Sequence, residues 1–187
     1  MPLPPPAPRR HLHNRQVSYR GFRREDGGWD IEGEMKDTKT YDIEIIGESA
    51  LPAGEPVHHL SIRMTLDPSL TVREVLVAMD STPHGPCSQA QTSLDAMVGV
   101  QVGGGWRKAI ESRVGGVQGC THLRELLFNM ATATYQTIHN NEASLAATKP
   151  PSFLGQCLAW DTRGPLVQRL FPRFYLQDIN RNVPSGS

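Results

Sequence analysis

The chain has 187 residues, 38% of them hydrophobic and 20% charged, which is enough for a buried core in one domain with arms and argues against disorder. Its 19 Lys and Arg balance 19 Asp and Glu, whereas a nucleic-acid binder or a membrane-surface protein is expected to carry a basic excess. No apolar run would span a bilayer, no apolar stretch of signal-peptide type follows Met1, and three widely spaced cysteines make no disulfide framework, so a cytoplasmic protein with reduced thiols is expected.

Residues 1–10 are proline-rich and read as an extended arm. In His11-Leu12-His13-Asn14-Arg15, alternation puts His11, His13 and Arg15 on one face of a strand, either as part of a site or as an exposed polar edge. Residues 17–23 and 29–35 predict two strands joined at Gly27-Gly28, with Trp29, Ile31 and Met35 inward and Asp30 and Glu32 toward solvent. Residues 37–39 read as a turn before a third strand at 41–46. After a loop at 51–56 comes the strongest strand pair, 57–66 and 70–79, broken at Asp67-Pro68-Ser69. Leu60, Ile62, Met64 and Leu66 share a face and His58 lies in phase with them, so His58 is expected to point inward, where it needs a hydrogen bond or a metal.

A tight loop at 80–86 leads to Cys87, which opens a run with Leu94, Met97 and Val98 at helical spacing. Residues 106–114 predict a short helix with Trp106, Ile110 and Val114 on one face. The glycine-rich turn at 115–119 delivers Cys120 and His122 to a long helix carrying Leu123, Leu126, Leu127 and Met130 as far as Ile138. Residues 139–152 read as a linker, 153–160 as a strand or hairpin arm, and 165–175 as a packing tail. Strands followed by helices predict an α+β fold, an antiparallel sheet with helices packed on one face. The expected organisation is an arm at 1–10, a single domain at 11–175 and a tail at 176–187.

A cysteine at a helix start is where a thiolate forms most easily, because the dipole and the free N–H groups favour negative charge. Cys120 is therefore a candidate nucleophile, with His122 or His58 as base and with His13 and Arg15 available for an anionic group. His122 is about 200° round a regular helix from Cys120, so the two face one site only if the first turn is irregular. His58, Cys87 and Cys120 all sit at ends of elements, and they read either as a shared metal site or as plain buried residues.

The words His13-Asn14-Arg15, Trp29-Asp30-Ile31-Glu32-Gly33, Leu51-Pro52-Ala53-Gly54-Glu55-Pro56-Val57-His58, Asp80, Cys87 and Gly119-Cys120-Thr121-His122-Leu123 resemble the bacterial DUF2889 family of uncharacterised proteins. A more distant resemblance, over about residues 56–138, is to iron–sulfur scaffold proteins of the NifU, IscU and SufU kind. It is carried by Pro56-Val57-His58, Gly85-Pro86-Cys87 and Gly119-Cys120-Thr121-His122-Leu123. It implies a metal site of His58, Cys87 and Cys120, with His58 in place of the first cysteine and Leu60 in place of an aspartate. The fourth position is open or filled by His13, Asp80, His122 or Cys157. Two thiolates and an imidazole suit mononuclear Zn or Fe better than an iron–sulfur cluster. The expected function is metal binding, and enzymatic action of that site on a small organic substrate is a second reading left open. The alternatives are a Cys120 nucleophile or an accessory module whose arm and tail dock a protein partner or a second copy.

Overall fold

The structure, a computed structural model, describes residues 3–138 and 141–177. The chain divides into two compact units, Met1–Ile138 and His139–Ser187. Of the expected tail at 176–187, residues 176–177 are among those described.

The first unit is built on a four-stranded antiparallel meander: β1 (His13–Arg23), β2 (Trp29–Lys39), β3 (Pro56–Leu66) and β4 (Val72–Ser81), in that spatial order. Its hairpins follow local chemistry. Gly27 takes a left-handed φ of 87° between β1 and β2. Between β3 and β4, Asp67 Oδ1 accepts the backbone N–H groups of Ser69 and Thr71, each at 2.9 Å. Alternation then buries Ile31 and Met35 of β2 and Leu60, Ile62, Met64 and Leu66 of β3 on one face. Each side chain so buried contributes about 1.5–3 kcal/mol.

Helices cover this inner face. After a 3₁₀ segment (Gly85–Met97) come α1 (Trp106–Val114), a 3₁₀ turn (Gly116–Gln118) and α2 (Thr121–Ile138). In α2, Leu123, Leu126, Leu127, Met130 and Thr134 form one buried stripe at i, i+3, i+4 spacing. Trp106, Ile110 and Val114 of α1 are buried as the sequence predicts, and Trp106 Nε1 donates to Leu127 O at 2.8 Å, joining the two helices. The α+β class and the placement of helices on an antiparallel sheet are as expected.

Four local expectations are corrected. Residues 37–39, expected as a turn, are the last residues of β2: all three pair with β1, and Asp37 and Thr38 also pair with β3. Residues 41–46 form no strand: both edges of β2 are taken by β1 and β3, and 41–46 make only the isolated bridge Ile43–Leu51. The segment at 87–98 is 3₁₀ rather than α. Its covered residues, Cys87, Ala90, Ser93, Leu94 and Met97, recur close to every third position, the 3₁₀ repeat, while Val98 is exposed. The arm expected at 153–160 is a set of turns ending in a short 3₁₀ segment (Leu158–Trp160).

The second unit contains α3 (Asn141–Ala146), α4 (Pro165–Leu170) and a 3₁₀ turn (Pro172–Phe174). The rings of Phe153, Trp160 and Phe171 meet at centroid distances of 4.7, 5.7 and 5.8 Å, and Val167 is fully buried.

Candidate functional site

The inner face of the sheet is apolar along most of its length and turns polar at one end. There Arg15 of β1 lies opposite Asp37 of β2, and Asp37 lies opposite His58 of β3. The period-2 alternation that buries Ile31 and Met35 also turns Asp37 inward. The pairing slips by one residue immediately after Asp37, a bulge of the kind that re-aims side chains next to sites. Asp37 is 3% exposed, and its carboxylate is heavily contacted. Arg15 donates from Nε to Oδ1 and from Nη2 to Oδ2, both at 2.8 Å, and His13 Nε2 donates to Oδ1 at 2.9 Å. Burial works to raise the Asp37 carboxyl, but Arg15 and His13 outweigh it and hold the pKa at about 2. The Arg15 guanidinium, raised chiefly by its bond to Asp37, also donates from Nη1 to Glu125 Oε2 of α2 at 2.7 Å.

His58 Nδ1 stands 3.2 Å from Asp37 Oδ2, yet the approach is outside hydrogen-bond geometry, and this buried nitrogen has no hydrogen-bond partner among the described residues. Burial and the neighbouring His122 push the His58 pKa down, with Asp37 opposing, so the ring is neutral at neutral pH.

The helix side of the site is set by the glycine turn. Gly119 passes so close to α1 that a Cβ there would lie 2.6 Å from Val114 O. Cys120 follows as the residue before α2, its carbonyl accepting the Arg124 N–H at 3.1 Å, so it occupies the cap rather than the helix proper. That irregular first turn lets Cys120 and His122 meet in spite of regular helical phase: Sγ and Nδ1 are 3.9 Å apart. Burial pushes the Cys120 thiol up, but His122 and the backbone N–H groups of Leu123 and His122 outweigh it and bring it below its ordinary value. The His122 ring lies on that of His58, with centroids 3.9 Å apart.

Among the described residues, the group whose ligand atoms converge is Asp37, His58 and His122, all within 4.8 Å of one another. Of the ligands expected from sequence, His58 belongs to it and Cys120 lies beside it, while Cys87 belongs to no such group of three. Cys87 is half-buried at the start of the 3₁₀ segment, and Cys157 is exposed in the second unit. His13 reaches the site through Asp37; His11 is exposed and donates to His13 O. Asp80 is 60% exposed and lies 3.7 Å from His59, on the outer face. Asp37 and Glu125 were not legible as site residues. Continuing the Trp29, Ile31, Met35 alternation by one step would have reached Asp37, and Glu125 follows His122 at i+3.

Two carboxylates, Asp37 and Glu125, here share the one guanidinium of Arg15. An α+β protein with a mixed His and Asp cluster at one end of its sheet is the class these features define. The family model described as "Protein of unknown function (DUF2889)" matches residues 13–136, and the chain belongs to that family. The matched span contains every residue of the cluster, from His13 to Glu125. No curated protein and no solved structure matches the chain. Among the described residues, no helix is long and apolar enough to cross a membrane.

Proposed function

We propose that this protein binds one divalent transition-metal ion between β3 and α2, with His58 and His122 as imidazole ligands, Asp37 as the carboxylate and Cys120 as the adjoining thiolate donor. The observation that carries this reading is the convergence of Asp37, His58 and His122 within 4.8 Å, with the buried Nδ1 of His58 lacking a hydrogen bond. A neutral imidazole is the form that ligates. The separation of 3.9 Å between Cys120 Sγ and His122 Nδ1 suits two ligands on one ion, given bonds of roughly 2.0–2.3 Å. Two imidazoles with a carboxylate or thiolate suit Zn or Fe, and a single thiol is too few for an iron–sulfur cluster. With the thiol unbound, a coordination position stays open for water or a small organic substrate, the pattern of a catalytic centre.

The test is elemental analysis of purified protein followed by Zn²⁺ titration of the stripped chain. About one metal per chain is expected, with loss on His58→Ala or His122→Ala, weakening on Cys120→Ser and no change on Cys87→Ser. A folded chain that takes up neither Zn²⁺ nor Fe²⁺ would overturn the reading.

A second reading rests on the same 3.9 Å contact: a Cys120 thiolate paired with His122 as base, attacking an electrophilic substrate. It predicts covalent capture of an electrophilic probe at Cys120 by metal-free protein, abolished by His122→Gln.

A further inference from the structure

The Asp37 carboxylate of the site described above is already held by a cation of the protein's own. Arg15 grips it through two parallel hydrogen bonds of 2.8 Å, the fork geometry in which a guanidinium binds a carboxylate most strongly. An incoming metal ion needs one of those oxygens. Oδ2, the one nearer His58, is the oxygen that receives Nη2. An ion at Oδ2 would therefore share that oxygen with Nη2, and the positive guanidinium competes with it for the carboxylate charge.

The structure also supplies a second acceptor for the guanidinium. Glu125 takes Nη1 at 2.7 Å, and its side chain is 48% exposed. The Asp37 side chain is 5% exposed and that of Arg15 34%, so the arginine lies at the outer side of the pair. Glu125 stands one helical turn after His122 on α2. The acceptor and a ligand are thus carried by the same helix.

We propose that Arg15 is the specificity-determining residue of the metal site. It offsets the Asp37 charge in the metal-free protein and opposes an incoming ion, while Glu125 beside it draws the guanidinium away from Asp37. This inference rests on the metal reading given above. Its chemical consequence is selection. Mg²⁺, Ca²⁺ and Mn²⁺ prefer oxygen ligands and would come chiefly for the carboxylate, so competition with a bidentate guanidinium excludes them. Zn²⁺ and its late first-row neighbours gain most from imidazole and thiolate, so His58, His122 and Cys120 hold them against the repulsion of Arg15.

The sign of the mutational effect separates this role from a structural one. If Arg15 merely orients Asp37 as a supporting hydrogen-bond partner, Arg15→Gln should cost metal affinity, about 10–100-fold. If Arg15 competes, the same substitution should tighten Zn²⁺ binding, by about tenfold on that scale, and should let Mn²⁺ bind. Glu125→Gln, which removes the alternative acceptor but no ligand, should weaken Zn²⁺ binding. Arg15→Lys, which keeps a cation with fewer fixed contacts, should fall between wild type and Arg15→Gln and serves if the glutamine variant does not fold.

The experiment is calorimetric titration of stripped full-length protein with Zn²⁺ and with Mn²⁺, for wild type and the three variants, with thermal melts to confirm folding. Tighter Zn²⁺ binding and new Mn²⁺ binding in Arg15→Gln or Arg15→Lys support the proposal. Unchanged or weaker Zn²⁺ binding in those variants overturns it while leaving the metal site standing. Absence of Zn²⁺ binding in wild type and all three variants removes the metal reading and this inference together.

Discussion

The imidazole of His58 lies against that of His122, with ring centroids 3.9 Å apart and planes tilted by 43°. One ring comes from a strand in the interior of the sheet and the other from the first turn of the helix that covers it. The contact exists only when α2 is docked, and it places two basic nitrogen heterocycles where a second positive charge is unwelcome.

A pH effect on stability follows. The His58 pKa is depressed in the folded protein by burial and by His122, so the unfolded chain binds the proton more readily. Stability from this group is complete above the unfolded value of about 6.5 and is lost as pH falls below it. Metal-free wild type should therefore lose melting temperature from about pH 6.5 downward, and His58→Leu should remove that part of the slope. The leucine should also raise the melting temperature near pH 7, by up to about 1 kcal/mol of stability, because it eliminates a buried nitrogen without a hydrogen bond. Parallel melting-temperature profiles for the two proteins across this range would refute the argument.

The Cys120 thiol should titrate below its ordinary value, because His122 and the amides at the start of α2 favour its thiolate. Mass-spectrometric alkylation across pH should show its inflection below the ordinary thiol value. His122→Gln should move the Cys120 inflection upward, and an inflection unmoved by that change would separate the thiol from the histidine.

Gly21 of β1 faces Thr137 of α2 at a distance no side chain tolerates: a Cβ at position 21 would overlap Oγ1, Cγ2 and Cβ of Thr137. Gly21→Ala should therefore destabilise the protein by about 1–3 kcal/mol, the usual cost of overpacking. Combining it with Thr137→Ala should recover part of the loss. Denaturant midpoints of the two single variants and the double variant measure the coupling, and strict additivity would mean the two positions do not meet.

Asp67 organises the β3–β4 hairpin through Ser69, Thr71 and Arg73. Its hydrogen bond from Ser69 is the largest influence, and with its other donors it brings the carboxyl down to about 2. The stability this gives is present above the unfolded value of about 3.9 and disappears as pH falls through about 2. Carboxyl NMR titration should find Asp67 near 2, and Asp67→Ala should lower the melting temperature at pH 7 and flatten its acid limb. A titration at the ordinary aspartate value would contradict the hairpin geometry.

Much of the scaffold was readable because periodicity is a local property. Trp106, Ile110 and Val114 announce a helix face, and Leu60, Ile62, Met64 and Leu66 a strand face, without reference to anything distant. His58 could be assigned inward on the same grounds. What failed were inferences needing tertiary knowledge. The alternating stretch 41–46 looks like a strand, but a strand needs a free neighbouring edge, and β2 has none. Asp37 reads as part of a turn because aspartate is common there, and its Arg15 partner only becomes apparent once β1 and β2 are in register. His122 was discounted on ideal helix phase, which does not apply to a cap residue such as Cys120.

Two contacts between β1 and α2 act as a gauge. Arg15 meets Glu125 near one end and Gly21 meets Thr137 near the other. From Arg15 to Gly21 the strand spans about 20 Å, and from Glu125 to Thr137 the helix spans about 18 Å, so strand and helix are commensurate over this stretch and run in the same direction. Adding or removing a single residue between the paired positions, in strand or helix, would break that match. The mismatch would be felt at the far end, where the guanidinium, the carboxylates and the histidine at the head of α2 have to coincide.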